Sequence, residues 1–399
     1  MSHTFTGGVI PDYSELQEKF SVTSVDPASV TLRIPNGYTV RVTDGEHVCI
    51  GTVIADGDGA AVVCGISGAA SVSDNSVTVV NDRMATPCPD LHPAEKPISV
   101  MTAEELQYAL QRAGVPIPQF PQKKPIECMI ADCCERDTDS ISVASTLLDR
   151  AEAVAGGLRI LMKLAGTARG YLAIPRHMRA CAEELSGYAD GRLVRIASVS
   201  DKYPQYQPHM LVSALFNLEI NPLNDTGRSG YPVVTAEACA AAFDALANGI
   251  PYTSSRITVS GGGMIPGVYT VPFGSEIIKL PALCGCTDEG IIYTGGRFTR
   301  KAVTDGEFTD RGIFSVTVGK KMKEKEPHEC TSCGRCTAVC PIKLIPPLIY
   351  GCDNAKKASR FGAQYCISCG CCDSICPAEL ELRTTILHFA EEIKKEGTT

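Results

Sequence analysis

Eight cysteines close to the C-terminus constrain this chain more than anything else in it. Cys330, Cys333, Cys336 and Cys340 form one run, and Cys366, Cys369, Cys372 and Cys376 form a second. Each run spells C-x2-C-x2-C-x3-C and is followed by a proline, Pro341 or Pro377. Two residues between successive thiolates let one tight loop hold three corners of an Fe4S4 cube, while the fourth cysteine, starting a helical turn, projects toward the other cube. The spacing therefore assigns Cys330, Cys333, Cys336 and Cys376 to one 4Fe-4S cluster, and Cys366, Cys369, Cys372 and Cys340 to the second. A pair of Zn(Cys)4 sites is the alternative. It needs only two C-x2-C knuckles and gives no reason for the third cysteine, the x3 step or the proline. Disulfides fit less well still, because nothing at the N-terminus reads as a signal peptide; the expectation is a cytoplasmic chain.

Composition agrees with a metal-bearing globular chain. The 399 residues predict about two to four domains, and 20 cysteines with 44% hydrophobic residues exclude a disordered chain. A net charge of −8 argues against nucleic acid as the main partner. No apolar run approaches the ~20 residues needed to cross a bilayer, so no direct membrane insertion is expected.

Residues 30–35 (VTLRIP), 48–53 (VCIGTV) and 61–64 (AVVC) are apolar or alternating runs between the turns Asp44-Gly45 and DGDG at 56–59, and predict an all-β module. Residues 83–100 are proline-rich and read as a linker. Thr102 and Glu105 then supply a capping box for a helix running to Gly114. Short apolar runs at 126–131 and 171–174 flank a helical pattern over 140–166, carried by Leu147, Leu148, Ala151, Val154, Leu158, Leu161 and Leu164, which predicts a βαβ unit. A further strand at 193–199 and helices near 207–217 and 236–248 extend this into an α/β layer with a largely parallel sheet. From 256 the texture returns to β, with strands around 257–260, 267–272 and 290–296 and the glycine triplet 261–263. The charged stretch 320–326 (KKMKEKE) reads as a solvated linker rather than a dock for an acidic partner.

In this order the modules resemble the RnfC family, the soluble subunit of a membrane-bound ferredoxin:NAD oxidoreductase, and its relatives, including the PrdC electron carriers associated with proline reductase. Residues 6–11 (TGGVIP) look like the family's opening GG-x-HP, 30–80 like its barrel-sandwich module, 161–166 (LMKLAG) and 202–205 (KYPQ) like segments of its α/β domain, and 256–261 (RITVSG) like the entry to its SLBB (β-grasp) module. The resemblance implies a multidomain chain of α/β and β modules: a barrel-sandwich hybrid at 1–82, linker and helix at 83–124, an α/β parallel-sheet domain at 125–254, an SLBB-like module at 255–319, and an α-helical dicluster ferredoxin-type domain at 320–399. It implies electron transfer.

The departures matter as much. Catalytic members carry a glycine-rich loop ending in GFP, whose backbone N–H groups approach FMN phosphate and the nicotinamide nucleotide. Here the stretch is 113–121 (AGVPIPQFP), which keeps Gly114, Phe120 and Pro121 while Pro116 and Pro118 donate nothing. The family's NGAECEP flavin segment resembles 130–136 (IADCCER), keeping Cys134 and Glu135 and losing the asparagine. No glycines follow Gln205, where Tyr206, Gln207 and Pro208 stand. We expect the flavin and NADH site to be lost, and FMN to be absent.

Cys133 and Cys134 stand just past the expected strand, where open α/β sheets place ligands. They are candidates for a thiol relay to a partner's disulfide or selenenylsulfide, with Arg136 favouring a thiolate and the flanking carboxylates opposing it. The competing reading is two buried cysteines behaving as small hydrophobes. Cys284 and Cys286 form a second close pair with the same two readings, and Cys352 and Cys371 are extra to the cluster ligands. His328 precedes Cys330 and reads as exposed. His47, His92, His177 and His209 show no metal-like pairing, and no hydrolase constellation is present.

The expectation is thus an electron-transfer protein relaying electrons through two 4Fe-4S clusters between redox protein partners, a donor and an acceptor reductase that could be of the proline-reductase type, within a protein complex. Two alternatives stand: an NADH:acceptor oxidoreductase subunit with FMN, and a structural iron–sulfur subunit.

Overall fold

A computed structural model of the chain describes residues 3–11, 21–90, 92–121, 124–321, 327–395 and 397. Its centre is an all-parallel sheet of four strands, in the order Val194–Val199, Gly170–Pro175, Met129–Asp132, Val233–Thr235. The strand Met129–Asp132 is buried along its whole length, as a strand covered on both faces must be. Val233–Thr235 has only three residues, too few to show a period in the sequence.

The helical pattern over 140–166 is two helices, Ser142–Asp149 and Ala151–Ala165, separated at Arg150, whose backbone leaves the helical region (φ −133°, ψ 26°) and whose guanidinium pairs with Asp244. The second helix packs against Ala236–Phe243 through Gly156 and Gly157. A Cβ at Gly157 would stand 1.7 Å from the Cys239 carbonyl oxygen, so glycine here sets the helix spacing.

Before this layer come two small sheets. One orders Ser29–Arg33, Ser76–Asn81, Gly68–Ser73 and His47–Val48; the other orders Thr39–Val40, Val53–Asp56 and Val62–Val63. Val30, Leu32, Ile54, Val77 and Val79 fill the space between turns. The helix Ala103–Arg112 has its capping box: the Glu105 N–H donates to Thr102 Oγ1 at 3.2 Å and the Thr102 N–H to the Glu105 carboxylate at 2.9 Å.

The six-stranded mixed sheet orders Val22–Ser24, Met264–Pro272, Ser254–Gly261, Ser315–Gly319, Ile291–Thr294 and Lys301–Ala302. Within the expected unit 1–82, the segment Val22–Ser24 joins this sheet. Val22–Ser24 pairs in parallel with Met264–Pro272 because the edge of that hairpin offers free backbone groups. Farther upstream, His3 and Val9 bridge to Val199 and Tyr203. Among the described residues, the strands of the two N-terminal sheets begin at Ser29.

The described residues from 327 onward contain helices and no strand: Arg335–Val339, Pro346–Tyr350, Ala355–Arg360, Cys371–Ser374 and Leu382–Lys395. The last buries Leu382, Ile386, Phe389 and Ile393 at helical spacing. Of the charged stretch 320–326, residues 322–326 lie outside the described residues. Among the described residues, no helix is long and apolar enough to cross a membrane.

Candidate functional site

The two cysteine runs share one backbone, displaced by 36 residues (330 to 366, 340 to 376). Ser332 and Ser368 have φ of 53° and 59°, Gly334 and Gly370 73° and 77°, Lys343 and Glu379 60° and 53°. A left-handed residue with a side chain costs roughly 1–2 kcal/mol, and the cost recurs at equivalent places in both runs. The helices Arg335–Val339 and Cys371–Ser374 begin at equivalent positions too. In each run the residue three beyond the fourth cysteine donates its N–H back to that cysteine's carbonyl at 3.2 Å, Lys343 to Cys340 and Glu379 to Cys376. Two further N–H groups point at sulfur: Leu344 to Cys340 Sγ at 3.2 Å and Ser368 to Cys366 Sγ at 3.4 Å. Such donors stabilise thiolates and tune any cluster they hold.

The thiols sort into two electrostatic groups that cross between the runs. Burial raises the Cys336 thiol, and Cys376 and Cys333 raise it further. Burial pushes Cys366 up to about 11, with Cys369 and Cys340 adding to it, and Cys372 is raised by burial, Asp373, Cys369, Cys366 and Cys340. Cys376 thus neighbours the first run and Cys340 the second. Among the described residues, no three His, Cys, Asp or Glu side chains are drawn together as a finished metal site. The donor set nonetheless fits iron–sulfur clusters: eight thiols on two matching loops, with sulfur-directed N–H groups and neighbours distributed as crossed ligation requires.

The two groups differ in setting. Cys330 and Cys333 are exposed, whereas Cys369 is 8% exposed and the extra Cys371 fully buried. The inner loop is docked on the body of the chain. The Tyr203 hydroxyl donates to the Cys369 carbonyl at 2.7 Å, and the Tyr203 ring stacks on Phe298 at 4.1 Å. A Cβ on Gly370 would stand 2.2 Å from the Phe298 carbonyl oxygen. On the other side Gly7 faces Cys340, where a Cβ would meet its carbonyl oxygen at 2.7 Å, and the Gly8 N–H donates to Val339 at 2.8 Å. In the sequence KYPQ and TGGVIP are only points of resemblance; their contact with the thiol loops joins residues more than 130 positions apart, and Phe298 carries no local signal.

In the stretch 113–121 the N–H groups of Gly114 and Val115 are taken by the end of the preceding helix. Gly114 (φ 77°) ends the helix Ala103–Arg112, its N–H donating to Gln111 and that of Val115 to Leu110. Both donors are spent, and the Gly114 carbonyl accepts from Arg311 at 2.6 Å.

At the end of the parallel sheet, Cys133 and Cys134 are 0% and 1% exposed. Burial, with Asp132 beside them, raises both thiols well above their ordinary range, and Arg136 offsets only a little of this at Cys134. That placement weighs against exchange with a partner's disulfide. Glu135 accepts from Ala144 N–H at 2.7 Å and Ser140 Oγ at 2.9 Å, capping the helix Ser142–Asp149 from a distance. Burial raises Glu135 to about 8 and Asp132 to about 6. Arg136 lies over the Tyr206 ring at 5.2 Å, beside Tyr203. Cys284 and Cys286 are half-buried; so is Cys352, which donates to the Leu348 carbonyl at 3.3 Å. His328 is exposed.

No protein-family model matches the chain. It is similar to the C subunit of the proton-translocating ferredoxin:NAD(+) oxidoreductase complex of Clostridium ljungdahlii, 25% identical over 236 residues, 57% of this chain and 51% of that protein. The C subunit of the Na(+)-translocating ferredoxin:NAD(+) oxidoreductase complex of Acetobacterium woodii is 24% identical over 68% of this chain and 65% of its own length. The C subunit of an ion-translocating oxidoreductase complex of Rhodobacter capsulatus is 28% identical over 50% and 40%. The chain thus spans about two fifths to two thirds of the length of these relatives. Among solved structures, an NAD+-reducing NiFe hydrogenase in its H2-reduced state aligns with a TM-score of 0.46 at 14% identity, over 77% of this chain and 64% of that one.

Proposed function

The chain is of an RnfC-like family, and on that premise we propose that it is an electron-transfer protein, relaying single electrons through two 4Fe-4S clusters between a redox partner and a reductase, as part of a protein complex in the cytoplasm. The observation that carries this reading is the pair of matching thiol loops whose electrostatic neighbours cross from one run to the other. Cys330, Cys333, Cys336 and Cys376 hold the outer cluster, and Cys366, Cys369, Cys372 and Cys340 the inner one. A cubane so held supplies a one-electron step at a potential set by its surroundings. Exposed Cys330 and Cys333 offer the outer site to a docking partner, while Tyr203, Phe298 and the Gly7-Gly8 strap pack against the backbone of the inner loop, where Cys369 is buried. The resemblance to PrdC carriers points to a reductase of the proline-reductase type as acceptor.

The FMN-dependent alternative has less support. Gly114 and Val115 have no N–H left for a phosphate, Pro116 and Pro118 have none to give, and Asp132 and Glu135 at the sheet end are buried. The deciding experiment reduces the anaerobically purified, iron-loaded chain with a low-potential donor and follows reoxidation by the candidate reductase. Reducible clusters that pass electrons on, without stoichiometric FMN or NADH oxidation, fit the relay. Bound FMN with NADH-dependent bleaching restores the enzyme, and clusters that no low-potential donor reduces leave only a structural role.

A further inference from the structure

The backbone that covers the inner thiols on one side is also the wall of a cleft. Lys343 and Leu344, which follow Cys340, face the segment 219–222 beyond the helix Pro208–Phe216, and between them opens a cleft of about 370 Å³. That is within the roughly 300–1,000 Å³ of small-molecule sites and too small to receive a protein domain. Its wall lies one hydrogen bond from a candidate cluster ligand, since the Leu344 N–H donates to Cys340 Sγ at 3.2 Å.

The lining specifies the ligand's chemistry. Met210, Ile220, Leu344 and the Tyr365 ring give apolar surface suited to a flat ring. Ser213 and Asn221 also line it, and neither the Ser213 hydroxyl nor the Asn221 amide N–H has a protein partner among the described residues; the Asn221 carbonyl oxygen is taken by the Leu223 N–H at 3.0 Å. Free donors beside this apolar surface match ring carbonyls. The cations are engaged: Lys343 Nζ pairs with Glu219 at 2.5 Å, and His209 Nε2 is bonded to the Asn224 carbonyl at 3.0 Å. A phosphate would therefore find no free positive charge here, which disfavours a nucleotide.

We propose that this cleft binds a small planar dicarbonyl ring of the quinone class. This deepens the relay reading, on which its redox use rests: two single electrons passed in turn through the inner site, with two protons from water, would convert the bound quinone to its hydroquinone.

The test is equilibrium dialysis of the anaerobic, iron-loaded chain with duroquinone, whose fully substituted ring leaves no position for addition of the chain's thiols. Saturable, stoichiometric binding is expected, weakened roughly tenfold by Ile220→Trp and by Ser213→Phe with iron and sulfide content unchanged. If one variant loses iron, the other decides. Absence of saturable binding, or binding indifferent to the variants that keep their iron, overturns the site. FMN that fills the cleft and displaces the quinone overturns the ligand class. Quinone binding on a chain whose clusters resist reduction would sink the relay and leave the site standing, whereas reducible clusters without binding would sink the site alone.

Discussion

The Tyr203 hydroxyl donates a 2.7 Å hydrogen bond to the backbone carbonyl of Cys369, the middle cysteine of the inner loop. The same residue exchanges both backbone hydrogen bonds with Val9 and stacks on Phe298. An N-terminal strap, a loop of the mixed sheet and a thiol loop thereby all meet at one buried residue. Tyr203→Phe keeps the ring and removes the donor, leaving a carbonyl without its partner at a cost of about 1–3 kcal/mol. We expect a lower urea midpoint for the iron-loaded chain. An unchanged midpoint would show that the bond contributes nothing.

Gly334 and Gly370 are equivalent in the two runs, and both are left-handed. Nothing lies within 4 Å of a Cβ on Gly334, while a Cβ on Gly370 meets the Phe298 carbonyl at 2.2 Å. Gly334→Ala should cost only the ~1–2 kcal/mol of backbone strain, and Gly370→Ala that plus the loss of docking. Iron retention after gel filtration measures the difference. Equal losses from the two variants would mean that the inner loop is not held by this contact.

What could be read in advance divides along a physical line. The cysteine runs and the Thr102–Glu105 cap are local: their chemistry depends on residues a few positions apart, so spacing alone reveals them. The ion pair between Arg150, at the helix break, and Asp244 joins positions 94 residues apart, and the pairing of Val22–Ser24 with Met264–Pro272 spans some 240 residues; no short window of sequence contains either. For Cys133 and Cys134 two readings stood open, a thiol relay and buried small hydrophobes, because depth in the fold is not written in the neighbouring residues. Arg136 is adjacent, but burial outweighs it.

For that reason serine at both Cys133 and Cys134 should leave electron delivery to the partner unchanged, with a stability loss of about 1–3 kcal/mol for a buried hydroxyl at each site. Slowed transfer with iron content and fold intact would reinstate the thiol relay.

Glu135 gives the chain a pH dependence with a definite sign. Its folded pKa of about 8 lies above the ~4.3 of an unfolded glutamate, so between those values the folded chain binds the extra proton and stability falls as pH rises. Asp132, raised to about 6, adds to the fall below pH 6, so the part due to Glu135 is read between pH 6 and 8, where the decline should approach ~1.4 kcal/mol per pH unit and flatten in Glu135→Gln. Stability rising with pH across that window in the parent, with no change in the variant, would contradict the buried, protonated carboxyl.

Two cubanes held by eight thiols with crossed ligands would leave their signature in metal content and cluster spectra. The anaerobically purified chain should contain about eight irons and eight acid-labile sulfides. Cys376→Ser should damage the cluster of Cys330, Cys333 and Cys336 although Cys376 lies in the other run. Zinc without sulfide, or loss of the Cys366 cluster in that variant, would contradict the account.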